Sequence, residues 1–190
     1  MRAVMIFSFR PFAFATVFLI TGCNTVFEIN PFSKDVIDVA CPTIGILKEA
    51  EKLTRFRPGG GRESADVLIE ARISRAVGKC RVTQSKLIAD VRAGLEVLAD
   101  SGPEFKESKA ELEYFVAITG PDGEIVSRES FSLTLEFEKD SKKARTFDYL
   151  SFSIPNATPD VLKGYRVFFG IQMTRDELAN TLSKRQSQQK

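Results

Sequence analysis

The 190-residue chain has no His and no Trp, and only three Cys. Without His it lacks the commonest general base and the commonest transition-metal ligand. A charge surplus is missing too: 27 Lys and Arg stand against 25 Asp and Glu. That balance makes nucleic acid a poor match as a partner, because neutralising phosphates takes a surplus of Lys and Arg on one face. No apolar run approaches the roughly 20 residues that cross a bilayer as a helix. The best candidate, Pro11 to Ile20 (PFAFATVFLI), has ten. The remaining composition, 43% hydrophobic and 27% charged, excludes collagen-like, low-complexity and wholly disordered classes. The length fits one domain with appendages and a substantial core.

What is present is unevenly distributed. Residues 1–23 hold Arg2 and Arg10, no acid, and five of the sixteen Phe. The formal +2 therefore belongs to this leader, and the rest is balanced at 25 against 25. A basic start, a short apolar run and small residues before Cys23 give the three-part layout of a secretory signal peptide, with a helical apolar segment. An uncleaved anchor is the competing reading. It requires extending the run back to Ala3, which puts Arg10 mid-span at a cost of about 2.5–3.5 kcal/mol.

Ile20-Thr21-Gly22-Cys23 closely resembles the lipobox of bacterial lipoproteins. The resemblance implies removal of residues 1–22 and acylation of Cys23, with palmitate among the chains. Several acyl chains anchor a protein stably where one does so only marginally. By the same resemblance, Asn24 rather than Asp favours the outer membrane, facing the periplasm. An ordinary signal peptide followed by a chance Cys is the alternative.

Export changes the meaning of Cys41 and Cys80, because disulfides form and persist in oxidising compartments. Neither belongs to a CxxC pair, and without His too few soft ligands remain for zinc. The two left after lipidation are expected to pair with each other; two buried, unpaired thiols are the other possibility.

Residues 23–35 carry no helical or strand period and read as a lipidated tether. From there to Met173 the dominant period is two. Val67 to Ile73, Leu87 to Val97, Phe131 to Phe137 and Tyr165 to Met173 each alternate apolar and polar residues, the mark of a strand with one buried face. Cys41 to Leu47 and Ala50 to Phe56 read as shorter strands. Tyr114 to Thr119 is apolar on both faces and so belongs in the middle of a sheet. Gly120-Pro121-Asp122-Gly123 is hairpin chemistry leading into Glu124 to Arg128. Between Arg145 and Ile154 the parity slips: Phe147 and Tyr149 lie on one phase, Phe152 and Ile154 on the other. A β-bulge near Leu150 is the expected cause. Seven to nine strands without βαβ alternation predict an all-β, immunoglobulin-like antiparallel sandwich over residues 36–173. Asp160-Val161-Leu162-Lys163-Gly164-Tyr165 resembles the tyrosine corner of such domains. Thr174 and Glu177 form a capping box that opens a short helix with Leu178 and Leu182 as its apolar stripe, within a C-terminal segment 174–190 that ends in a polar tail.

Few residues point to chemistry. RPGGGR, Arg57 to Arg62, offers a backbone nest for an anion with Arg55, Arg57 and Arg62 around it, or else a flexible solvated connection. It is no phosphate loop, because GxxxxGK[ST] is absent. GKCRVTQSK (Gly78 to Lys86) and KDSKKAR (Lys139 to Arg145) read as basic turns. Carboxylates are scattered and no GxSxG elbow occurs. Phe115, Ala117, Leu150 and Phe168 lie on phases opposite to better core candidates and are expected either to form an exposed apolar patch or to thicken the core.

ACPTIGILKEAEKLTRFRPGGGRESADV (Ala40 to Val67), YFVAITGPDGEIVSRESF (Tyr114 to Phe131) and YRVFFGIQMTRDELAN (Tyr165 to Asn180) together resemble predicted lipoproteins of alphaproteobacteria. The resemblance implies export and lipidation, and it implies no catalytic residues. The expectation is a non-enzymatic envelope module, held to the membrane through acylated Cys23. It binds an envelope protein or a cell-wall or lipid component, or serves a structural role, and needs no cofactor, metal or nucleic acid. The alternative is an envelope hydrolase whose Ser or carboxylate site forms only in three dimensions.

Overall fold

The computed structural model describes residues 35–188. Among them nine strands and two helices follow in order: β1 (Val36–Val39), β2 (Thr43–Ile46), β3 (Lys52–Phe56), β4 (Val67–Thr83), β5 (Ile88–Ser101), β6 (Lys109–Thr119), β7 (Ile125–Glu136), β8 (Lys143–Ile154), α1 (Pro159–Leu162), β9 (Arg166–Ile171) and α2 (Arg175–Gln188). They form an all-β sandwich. The larger sheet runs β1-β4-β5-β8, with β3 also on β4; the smaller runs β2-β9-β6-β7. All pairs are antiparallel except β2 with β9. In the larger sheet β8 lies beside β5, and in the smaller β9 lies beside β6. These are the places that strands E beside B and F beside C take in immunoglobulin-like sandwiches.

Alternation makes the core. In β5, Ala89, Val91, Ala93, Leu95, Val97 and Ala99 are all buried, and the opposing sheet meets them with Leu112, Tyr114, Val116, Leu133, Leu135, Val167, Phe169 and Ile171. A second cluster of Cys80, Val82, Ala89, Val91, Ile154, Ala157 and Leu162 fills one end. Helix α1 closes that end, with Thr158 as its cap: the Val161 N–H donates to Thr158 Oγ1 at 3.3 Å. As expected from its two apolar faces, β6 is central, flanked by β7 and β9.

Several local expectations give way. β4 continues through Gly78 to Thr83, so GKCRVTQSK is mostly strand rather than basic turn. The reason is a register shift between Ile73 and Arg75 that leaves Ser74 as an extra residue. Inward positions are odd up to Ile73 and even from Ala76 onward, which interrupts the alternation in the sequence. No bulge occurs in β8, whose twelve residues pair without interruption to β5. Phe147 and Tyr149 instead point outward while Phe152 and Ile154 point in. β7 is one strand from Ile125 to Glu136, and Val36–Val39 adds a strand ahead of Cys41 to Leu47.

At the C terminus the capping box is formed: the Thr174 N–H donates to Glu177 Oε2 at 2.8 Å and the Glu177 N–H to Thr174 Oγ1 at 3.3 Å. Leu178 and Leu182 are not its buried stripe, since each is 39% exposed while Asn180 and Thr181 are buried. Polar contacts with β3 set the helix's rotation, with Arg55 Nε donating to Glu177 Oε1 at 3.1 Å and the Lys184 ammonium 5.4 Å from the Phe56 ring. The tyrosine-corner bond is also absent among the described residues. Tyr165 packs its ring on the second cluster, and its hydroxyl has no hydrogen-bond partner there.

Gly102, just after β5, lies directly against the backbone of β4. Its N–H donates to Leu68 O at 2.8 Å, and a Cβ at this position would fall inside the envelope of the Val67 carbonyl oxygen. Backbone cannot swing aside as a side-chain end can. Gly102→Ala is therefore expected to cost at least the upper part of the ~1–3 kcal/mol typical of overpacking. Urea unfolding checks this; a loss below about 0.5 kcal/mol, the level of an ordinary surface substitution, would contradict it.

Candidate functional site

The outer face of the larger sheet is built in ladder rows by the registers of β4, β5 and β8. Successive rows are Arg72-Leu98-Arg145, Arg75-Glu96-Phe147, Val77-Gly94-Tyr149 and Lys79-Arg92-Ser151. These four rows hold five cations and one carboxylate. In the middle stand Val77, Phe147 and Tyr149, exposed at 53%, 50% and 75%. Gly94 lies under the Tyr149 ring, where a Cβ would come within 2.8 Å of Cδ1. The absence of a side chain there lets the ring lie across the sheet.

The one carboxylate is spent internally. Glu96 is buried, accepts from Ser74 Oγ at 2.8 Å, and is bridged by the Arg145 guanidinium. Ser74's hydroxyl first, then Arg145 and Arg75, hold its carboxyl below the usual range against the opposing effect of burial. The bulge at Ser74 thus supplies the donor that keeps Glu96 ionised. Arg145 also lies 5.1 Å from the Phe147 ring centroid, fixing that ring from one side. The side chains of Lys79 and Arg92 have no hydrogen-bond or ion-pair partner among the described residues. Both line an open hollow of about 840 Å³ at the end of the face that includes Asp38, Arg81, Asp90, Ser151 and Ser153. There Arg81 Nε donates to Asp38 Oδ1 at 3.1 Å, and Ser153 Oγ to Asp90 Oδ1 at 2.7 Å.

The outer face of the smaller sheet is different. Phe115 folds over Gly170 beside Ala50 and is covered by the Arg128 guanidinium 4.5 Å from its centroid. Phe168 lies against Gly45, where a Cβ would be 3.8 Å from its ring. Ala117 is buried and Leu150 packs on the main core. Of the four residues expected as a possible patch, Ala117 and Leu150 therefore belong to or pack on the core, and Phe115 and Phe168 are half-buried. Among the described residues the exposed aromatics are Phe147 and Tyr149. Their signal in the sequence was the parity slip itself.

The remaining expectations fall as follows. Cys41 and Cys80 are disulfide-bonded, with Cα atoms 5.2 Å apart. Cys23 lies outside the described residues. Arg55, Arg57 and Arg62 serve separate ends. Arg55 donates to Glu177 on α2 and, through Nη1, to Glu111 O at 3.2 Å. Burial pushes the Glu177 carboxyl up, but the Thr174 N–H and Arg55 outweigh it and hold it low. Arg57 Nε donates to Asp66 Oδ1 at 2.6 Å, and this bond keeps Asp66 below the carboxylate range. A Cβ at Gly61 would lie 2.7 Å from Asp66 Oδ2. The glycine loop thus encloses the chain's own carboxylate, and Arg62 faces solvent.

No protein-family model matches the chain, and no curated protein matches it.

Proposed function

We propose that this chain is a lipid-anchored binding module of a bacterial cell envelope, held to the outer membrane through acylated Cys23. Its working surface is the outer face of the larger sheet. The observation that carries this reading is the concentration of five cations around three exposed apolar side chains on strands that also form the core. Exposed apolar groups ringed by polar ones are the usual mark of an interaction site. Anchoring is supported by Ile20-Thr21-Gly22-Cys23, which stands 12 positions before Asp35. Rigid strands hold the face in one shape, so contact does not require a segment to order on binding.

Two measurements test the two halves. Cys23→Ser is expected to move the protein from the salt-washed membrane fraction to the soluble fraction; unchanged fractionation would refute acylation. A photo-crosslinking residue at Tyr149 is expected to give adducts in intact cells, and one at Phe168 to give few or none. Equal yields from both positions would refute the assignment of the face.

A further inference from the structure

We propose that the surface this face contacts is an anionic phospholipid bilayer, the membrane to which the chain is tethered. This deepens the reading of the face as the working surface and rests on it. Val77 projects from β4 and Phe147 and Tyr149 from β8, on either side of β5 in one sheet, so they can enter a planar boundary together. Tyr carries an apolar ring with a polar tip, the side-chain type enriched at the membrane–water boundary. Arg75, Lys79, Arg92 and Arg145 surround the three apolar groups on adjacent ladder positions. Long Lys and Arg stems can lie along apolar surface while their charges reach headgroup phosphates, a role open to Arg75, Lys79 and Arg92, whereas Arg145 bridges Glu96. Apart from buried Glu96, the face's carboxylates stand off in the rows beyond, Glu70 and Asp100 at one end and Asp38 and Asp90 at the other.

Charge also selects among occupants. A second copy meeting these rows in a two-fold contact would set a surplus of four positive charges, five cations less Glu96, against the same surplus. For an anionic surface the same cations add, each strengthening binding about five-fold. Geometry agrees. β1 is an edge strand of this same sheet, and the segment from Cys23 to Asp35 spans at most ~40 Å when extended. A face held that close to the bilayer needs little intrinsic affinity to remain on it.

The absence of Trp supplies the test, since one introduced indole is the only one in the protein. The acylated mature chain, beginning at Cys23 and carrying Tyr149→Trp, is reconstituted into vesicles of brominated phosphatidylcholine, with and without phosphatidylglycerol. With phosphatidylglycerol present the indole is expected to shift to the blue and to be quenched by bromine. Phosphatidylcholine alone should leave it largely unquenched, as should Arg75→Glu with Lys79→Glu and Arg92→Glu, which is expected to weaken contact more than ~100-fold. Phe168→Trp, half-buried on the outer face of the other sheet, is the unquenched reference. Phe147→Trp repeats the measurement if Tyr149→Trp does not fold. Vesicle flotation reports the anchor separately, and an unacylated chain that fails to float can still be titrated with excess vesicles. Quenching there supports the inference even if the anchor fails. A chain that floats while its indole stays open to aqueous acrylamide overturns it. So does shielding in native membranes but not in pure anionic lipid, which assigns the face to a protein.

Discussion

Removing the Cys41–Cys80 bridge is expected to lower the unfolding free energy by about 4 kcal/mol, the chain-entropy value for a closed loop of 39 residues. That is a large share of the ~5–15 kcal/mol that holds a typical domain together. The bridge joins the segment between β1 and β2, where the chain passes from the larger sheet to the smaller, to a buried position in β4. β1 has only four residues and pairs with β4 alone, held further by Arg81 on Asp38 and by Ile37 and Val39 on the second cluster, and the bridge adds a covalent tie at this edge. Cys41→Ala with Cys80→Ala leaves small apolar residues in the same cluster and isolates the cross-link. Urea unfolding of the parent, with and without reductant, and of the double variant checks the value. The parent should fall to the level of the variant on reduction. A difference under about 1 kcal/mol, outside the usual 2–4 kcal/mol, would show that the unfolded chain gains little freedom without the bridge.

Tyr114 is expected to dominate the alkaline behaviour of the fold. Its ring is fully buried, stacked on Phe131 with centroids 5.4 Å apart and tilted against Phe169 at 6.5 Å. Its hydroxyl donates to Asp148 Oδ2 at 2.7 Å, a bond that runs from β6 to β8 and so links the two sheets. Burial first, then the Asp148 hydrogen bond and charge, push the Tyr114 hydroxyl well above its ordinary value of about 10. The native state therefore keeps a proton that the unfolded chain releases. Stability from this group is complete below pH ~10 and declines above it by up to about 1.4 kcal/mol per pH unit. Tyr114→Phe removes only the donor and should cost about 1–3 kcal/mol at neutral pH. Tyr114→Ala adds a cavity and should cost about 3–5 kcal/mol. Denaturant titrations at rising pH should show the parent and Tyr114→Phe converging above pH ~10. Parallel declines would place the alkaline sensitivity elsewhere.

Period-two alternation made the sandwich legible because each core strand buries one face, as the six apolar residues of β5 show. It failed at Ser74, where one extra residue reverses parity and hides half of β4. It misled again in β8. There the apolar residues on both phases fitted a bulge, yet the register is unbroken and two aromatics simply face out. Sequence does not separate these cases, because a bulge and an exposed aromatic pair leave the same pattern. In α2, the spacing of Leu178 and Leu182 carried less weight than Arg55 and Lys184, whose partners lie far away in the chain. The glycine loop around Arg57 showed its capacity for an anion but not that Asp66 occupies it. The face itself could not be read, since rows such as Lys79-Arg92-Ser151 exist only once three distant strands align.

The one parallel pairing has a consequence for the order of assembly. β2 enters the smaller sheet only beside β9, the last strand of the sandwich. In a chain made from its N terminus, β4 with β5 and β6 with β7 can each pair as soon as they are complete, while β2 must wait until most of the molecule has followed. Closing that seam is the step that joins the beginning of the sandwich to its end, and the cost of bringing distant segments together falls largely there.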